Sequence, residues 1–261
     1  MSDRLTAPDR LLSPDEPDPV TVRHRTGASR IVLTCDHAGR RVPATLGRLG
    51  LAEPEFDRHI AWDIGAGAVA RLLSEALDAP LVEQAYSRLV IDCNRPPEAG
   101  SSVPLVSEAT PIPGNGNLSD ADRSRRVAEV FRPYHDAIGA LLDERHGSGT
   151  ETVLVAIHSF TPIYLGEARP WHIGTLYGRD GRLAGALGPL LRQEAGLVVG
   201  DNEPYAVSDA TDYTLPVHGE RRGLVHVGIE IRQDLVADAA GQQEWAERLA
   251  HLLPRAVEAS R

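Results

Sequence analysis

Four apolar runs in this sequence end on residues able to do chemistry. Residues 31–35 lead into Asp36 and His37, residues 87–93 into Asn94 and Arg95, and residues 152–157 into His158; residues 225–231 hold Glu230 and run into Arg232. Continuous apolar runs alternating with helical patterns predict a largely parallel sheet covered on both faces. Ligands bind outside the carboxyl ends of such strands, so two histidines, a carboxylate and an arginine are expected to meet on one edge. A hydrolytic zinc takes three protein ligands from His, Asp and Glu and keeps one position open for water. His37 and His158 are the nitrogen donors. Asp63 is preferred as the third ligand, because Asp36 should point to the opposite side of its strand from His37. Zinc lowers the pKa of its water to about 7, and a carboxylate must then carry that proton to the leaving amine; Glu230 is the candidate general base. The planar fork of Arg95 suits a substrate carboxylate, with Asn94 beside it to position the arginine or bind the same group. Tyr205, His226 and Arg232 are further candidates to line the pocket.

Each assignment has a plainer competitor. A histidine at a strand end is commonly a hydrogen-bonded structural residue. Glu230 and Arg232 alternate with apolar residues, as they would on an edge strand facing solvent. Arg95 would serve equally in an ion pair at the mouth of a loop. Cys35 and Cys93 also stand at strand ends, so a metal-free cysteine hydrolase pairing one of them with His37 or His158 competes with the metal reading, as does a carboxylate-binding protein without turnover. Ser159 lacks the Gly-x-Ser-x-Gly elbow of serine hydrolases.

The elements that must position these groups follow from periodicity. Residues 1–28 are polar and proline-punctuated and predict an extended leader, while 29–261 predict one α/β domain. Helical spacing marks residues 60–77, 119–145, 182–194 and 242–257, and strand-like runs also cover 80–83, 173–177 and 197–199. Residues 98–118 are rich in Gly, Pro and Ser; a loop that long inside a compact domain is often a lid or binding loop.

Bulk composition narrows the classes. The chain has 261 residues and a net charge of -10, which repels phosphate backbones and anionic membranes and argues against nucleic acid as a partner. All 27 basic residues are arginine; without lysine there is no Schiff base, no P-loop lysine and no lysine-tethered pyridoxal phosphate. Two cysteines make no disulfide framework. No apolar run nears the roughly 20 residues that span a bilayer, and the N-terminus is unlike a signal peptide, so a cytoplasmic protein is expected.

The same residues carry a family resemblance. Asp36-His37-Ala38-Gly39 with Pro43 resembles the His-Ser-Gly signature of N-formylglutamate amidohydrolases, and residues 87–97 resemble that family's arginine-containing motif. His158-Ser159-Phe160, Asn202-Glu203-Pro204-Tyr205, and the stretch from His218-Gly219-Glu220 through Glu230-Ile231-Arg232 match in the family's order, over roughly residues 30–255. The resemblance implies a fold similar to the phosphorylase/hydrolase-like zinc exopeptidases and to aspartoacylase and succinylglutamate desuccinylase: a single α/β domain with a mostly parallel or mixed sheet and helices on both faces. It implies zinc held by His37 and His158, an Asn94–Arg95 pair on the substrate carboxylate, Glu230 as base, and a small N-acyl amino acid as substrate. The sequence departs from the pattern at Ala38, where serine is usual, and at Arg40, where the Glu of a His-x-x-Glu pair would fall. Residues 62–66 look like a subgroup version of a different family helix, so a related N-acyl amino acid is as good an expectation as N-formylglutamate.

Overall fold

Runs of aliphatic, largely β-branched residues form the centre of the sheet, because only neighbours covered on both faces tolerate them. The computed structural model describes residues 10–261. In chain order its elements are β1 (Val20–Arg23), β2 (Ile31–Cys35), α1 (Ala66–Leu77), β3 (Leu81–Gln84), the hairpin β4 (Val106–Ser107) and β5 (Thr110–Pro111), α2 (Asp120–Arg126) and α3 (Arg132–Gly147). They continue as β6 (Val153–Phe160), the hairpin β7 (Ile163–Tyr164) and β8 (Glu167–Ala168), β9 (Ile173–Leu176), α4 (Arg182–Arg192), β10 (Val199–Asp201), β11 (Val225–Arg232) and α5 (Ala239–Ala259). Seven strands form one mixed sheet in the order β1-β3-β2-β6-β11-β9-β10. The pairs β3–β2, β2–β6, β6–β11 and β9–β10 are parallel, while β1–β3 and β11–β9 are antiparallel. This is the α/β architecture expected, and β11 is an interior strand rather than the solvent-facing edge.

Strand alternation sorts the core into two layers. Ile31, Leu33, Val153, Val155, Val227 and Ile229 pack beneath α1, α4 and α5. Val32, Leu154 and Ala156 face the other way, against Tyr134, Ile138 and Leu141 of α3. His158 is two residues beyond Ala156 on the same face, and it pairs in register with Glu230. The alternation that buries the second layer therefore carries both groups to the sheet's carboxyl edge. No helix among the described residues is long and apolar enough to cross a membrane.

Three elements differ from the sequence expectation. Residues 20–23 of the supposed leader form β1, paired to β3, and Leu11 and Leu12 are buried; the edge of β3 supplies a partner that a local pattern does not reveal. Residues 87–93 form a buried turn, not a strand. Helix α1 begins at Ala66 because Gly65 has φ 79°, and a Cβ there would stand 2.1 Å from the Val236 carbonyl oxygen; residues 60–65 are thus a turn that offers Asp63 to the site.

Gly174, paired in register with Glu230, lets the loop after β10 cross β9 at close range. A Cβ there would lie 1.8 Å from the Glu203 carbonyl oxygen. Gly174→Ala is expected to cost about 2 kcal/mol through this overpacking, lowering Tm by about 4–8 °C in a calorimetric scan.

Candidate active site

A cavity of about 460 Å³ opens at the carboxyl edge, and its lining includes Asp36, His37, Asp63, Arg88, Asp92, Asn94, Arg95, His158, Tyr205 and Glu230. At its floor Asp63 Oδ2 lies 3.2 Å from His37 Nδ1 and 2.9 Å from His158 Nδ1. One ligand atom from each of His37, Asp63 and His158 lies within 4.8 Å of the other two, and all three residues are buried. The remaining ring nitrogens face carboxylates: His37 Nε2 is 2.8 Å from Asp92 Oδ1, and His158 Nε2 is 3.2 Å from Asp36 Oδ2. Arg88 binds Asp92 Oδ2 through Nη2 at 2.6 Å and reaches Asp63 Oδ1 at 3.4 Å.

Charge accounting gives this cluster a purpose. Three buried carboxylates face one guanidinium, so with neutral imidazoles two negative charges lack compensation, a costly state in a dry interior. Protons on the histidines are one remedy. Burial works against charging His158, yet Asp36 and Asp63 overcome it and hold its pKa well above the usual imidazole value; His37 is raised by Asp92 and Asp63 against burial and Arg88. In return, and against the effect of burial, His158, His37 and the Tyr134 hydroxyl hold Asp36 down at about 2. A divalent cation is the other remedy. Two imidazole nitrogens and a carboxylate oxygen are the donor types of a hydrolytic zinc site, and each imidazole has its far nitrogen on a carboxylate, as ligating histidines do. The residues fit zinc.

Asp36 corrects the sequence reading. It lies past the end of β2 in a turn, where strand alternation no longer applies, and lines the cavity beside His37. Its Oδ1 accepts hydrogen bonds from Tyr134 Oη at 2.6 Å and Thr214 Oγ1 at 2.8 Å, which aim Oδ2 at His158. Arg88 and Asp92 also escaped the sequence reading. Their signal was the acid–base pair inside residues 87–97, which reads as a strand pattern until the turn is seen.

Glu230 is buried, and its Oε2 has no hydrogen-bond partner among the described residues. Burial pushes its carboxyl up to about 7, with Asp63 adding to the rise and His158, His37 and Arg88 opposing it. A carboxylate poised there, unbonded and lining the cavity, is equipped for proton transfer. Arg95 lines the cavity with Nη1 donating to the Thr211 carbonyl and Asp212 3.8 Å away. Asn94 lines the cavity and is tied to the neighbouring loop: its Oδ1 accepts the backbone N–H groups of Tyr213 and Thr214, and its Nδ2 donates to Asp212. Tyr205 lines the cavity and accepts a hydrogen bond from Arg169 Nη1 at 2.8 Å.

Two expected pocket residues are not there. His226 lies four residues before Glu230, roughly 13 Å toward the amino end of β11 at the strand rise, with Nδ1 2.8 Å from the Leu224 carbonyl oxygen. Arg232 lies beyond the cavity and turns its guanidinium to Asp234. The cysteines stand apart as well. Neither Cys35 nor Cys93 lines the cavity, both are buried, and burial pushes both thiols well above the usual range, which removes the thiolate a nucleophile needs.

The model of one family, N-formylglutamate amidohydrolase, matches residues 29–237. The chain belongs to that family. Among curated relatives, an N-formylglutamate deformylase of Pseudomonas putida is 29% identical over 177 residues, which span 58% of this chain and 61% of that protein. A gene product of Agrobacterium tumefaciens with a known crystal structure is 42% identical, with a TM-score of 0.92 over 95% of this chain and 98% of that one. The N-formylglutamate amidohydrolase structure from Ralstonia eutropha has the same fold at a TM-score of 0.69 and 19% identity, covering 93% of this chain and 99% of that chain.

Proposed function

We propose that this chain hydrolyses the amide bond of an N-acyl amino acid of the N-formyl type, with zinc held by His37, Asp63 and His158. The observation that carries the reading is the unpartnered, buried Glu230 carboxylate in the same cavity as the three-donor cluster. Bound there, zinc would acidify water and withdraw electron density from the acyl carbonyl. Glu230 takes the water's proton as oxygen adds to the acyl carbon, then returns it to the nitrogen as the C–N bond breaks. The products are a carboxylic acid and a free amino acid. Arg95 grips the substrate carboxylate, and Arg88 sets a fixed positive charge beside the carbonyl oxygen, where negative charge develops. The reading implies a small-molecule substrate and suits a cytoplasmic catabolic enzyme.

The test is direct. Purified protein is assayed for metal by mass spectrometry and for release of formate and amino acid from N-formyl amino acids, before and after chelation. Zinc near one equivalent with chelator-sensitive hydrolysis is expected; a protein that binds no zinc when offered it and hydrolyses none of them would end the proposal.

Three variants probe the roles separately. Arg95→Ala is expected to raise KM ten- to a hundredfold, about the worth of a lost charge-assisted hydrogen bond, with kcat changed far less; steady-state kinetics reads the split. Asp36→Asn and Asp92→Asn leave the ligands intact but weaken the carboxylate behind each imidazole. Zinc affinity is expected to fall about 10–100-fold in each, measured by competition with a chromophoric chelator; unchanged affinity in both would remove them from the metal's support.

A further inference from the structure

The mouth of the cavity is flanked by the hairpins β4–β5 and β7–β8, and both present apolar side chains to solvent. Leu105 and Val106 are 61% and 56% exposed, Ile163 and Leu165 57% and 60%. Six large hydrophobic residues are exposed among the described residues; four are these, and a fifth, Tyr205, lines the same cavity. The apolar surface continues inward, since Pro104, Val106, Tyr164 and Val207 also line the cavity. Of the four, Val106 itself lines the cavity, while Leu105, Ile163 and Leu165 adjoin the lining residues Pro104, Val106 and Tyr164 in the chain; exposed apolar residues grouped at a cavity mouth mark a binding surface rather than surface noise.

Leu165 adds an independent observation. With Gly166 it forms the two-residue connection of β7–β8, and both residues have positive φ, 50° and 86°. Asn, Asp or Gly favours that first position; a leucine there is strained and exposed, so neither turn geometry nor core packing accounts for it. Strain of this kind collects at functional sites.

Both hairpins are also pinned. Arg58 donates to Glu108 Oε2 at 2.7 Å and to Thr110 Oγ1 at 2.8 Å, tethering β4–β5. The Arg169 guanidinium lies 4.7 Å from the Tyr164 ring centre and 4.9 Å from that of Tyr205, tying β7–β8 to the loop after β10. Preorganised apolar groups lose little entropy when a ligand covers them. The cavity's 460 Å³ falls in the range that holds drug-sized ligands, more than a formyl group on a small polar amino acid occupies.

We infer that the substrate carries an apolar group, on its acyl chain or its amino-acid side chain, that lies against Leu105, Val106, Ile163 and Leu165 at the cavity mouth. This rests on the amidase reading above and names the substrate class for that site. The zinc-loaded enzyme is assayed with N-formyl-L-glutamate, N-formyl-L-leucine, N-formyl-L-phenylalanine and N-hexanoyl-L-glutamate, which separates the two positions of the apolar group. At least one apolar member is expected to exceed N-formyl-L-glutamate in kcat/KM by about tenfold or more. Leu165→Asn and Ile163→Ser are expected to lower that preference about fivefold each, while Leu165→Asn melts no lower than the wild type because asparagine suits the turn. N-formyl-L-glutamate as the best substrate, with a preference indifferent to both variants, would overturn this inference and leave the amidase reading standing. Hydrolysis of no member would overturn both. A dimer in sedimentation that the two variants dissolve without changing selectivity would assign the rim to a subunit contact and overturn it as well.

Discussion

Glu230→Gln is expected to lower kcat about a thousandfold, in the middle of the range for loss of a positioned acid–base group, while the protein keeps its zinc. The substitution leaves size and burial nearly unchanged and removes only the capacity to accept a proton. Burial raises the Glu230 carboxyl to about 7 in the metal-free fold, whereas the unfolded chain ionises it near the ordinary glutamate value of 4.5. The sign of the linkage follows: the folded state holds this proton more tightly, so the contribution to stability is complete below pH 4.5 and is lost as pH rises through about 7. The amide of the variant cannot ionise. The metal-free variant should therefore match the wild type in Tm at pH 4.5 and exceed it at pH 8, a difference that a purely structural role for Glu230 would reverse. Kinetics, zinc content and melting at the two pH values together read the role; full turnover in a zinc-replete Glu230→Gln protein would eliminate the base assignment.

The centre of the fold was legible because its signal is local. Residues 152–157 are apolar almost throughout, and only a strand buried on both faces is written that way; His158 then follows at its carboxyl end. Residues 225–231 alternate, and Glu230 is buried there because β11 lies between β6 and β9 inside the sheet. The site's second half was not legible, because distant partners make it. Residues 87–93 alternate like a strand, yet side chains from elsewhere satisfy their backbone. Asn115 Nδ2 binds the Leu89 carbonyl and Arg126 Nη1 the Val90 carbonyl, while Ser87 Oγ caps Leu89 N–H. With backbone groups satisfied this way, the segment turns and delivers Arg88 and Asp92 to the His37–Asp63–His158 cluster. Asp36 was misplaced for a related reason: alternation was extended one residue beyond the strand that justified it. Of the further pocket candidates, His226 is separated from the site by its distance along β11, and Arg232 by the ion pair that turns its guanidinium to Asp234.

His158→Ala should abolish tight zinc binding and reduce turnover to background, and its effect on stability is informative in both metal states. In the metal-free wild type, His158 stands between Asp36 and Asp63, 3.2 and 2.9 Å away, with its pKa raised so that it carries the balancing proton. Truncation leaves two buried carboxylates without that partner, expected to cost about 3 kcal/mol, as for other broken buried pairs. Zinc in the wild type adds stability that grows with the logarithm of its concentration over Kd, about 2.7 kcal/mol at a hundredfold excess. Chelation should therefore lower the wild-type Tm and leave that of His158→Ala where it was. His37→Ala should behave alike, since His37 bridges Asp63 and Asp92 in the same manner. A scan of all three proteins with and without chelator, beside metal analysis, separates the ligand role from the structural one: zinc retained in both variants, or a wild-type Tm indifferent to chelator, would return these histidines to a structural ion-pair network and leave the cavity without its metal.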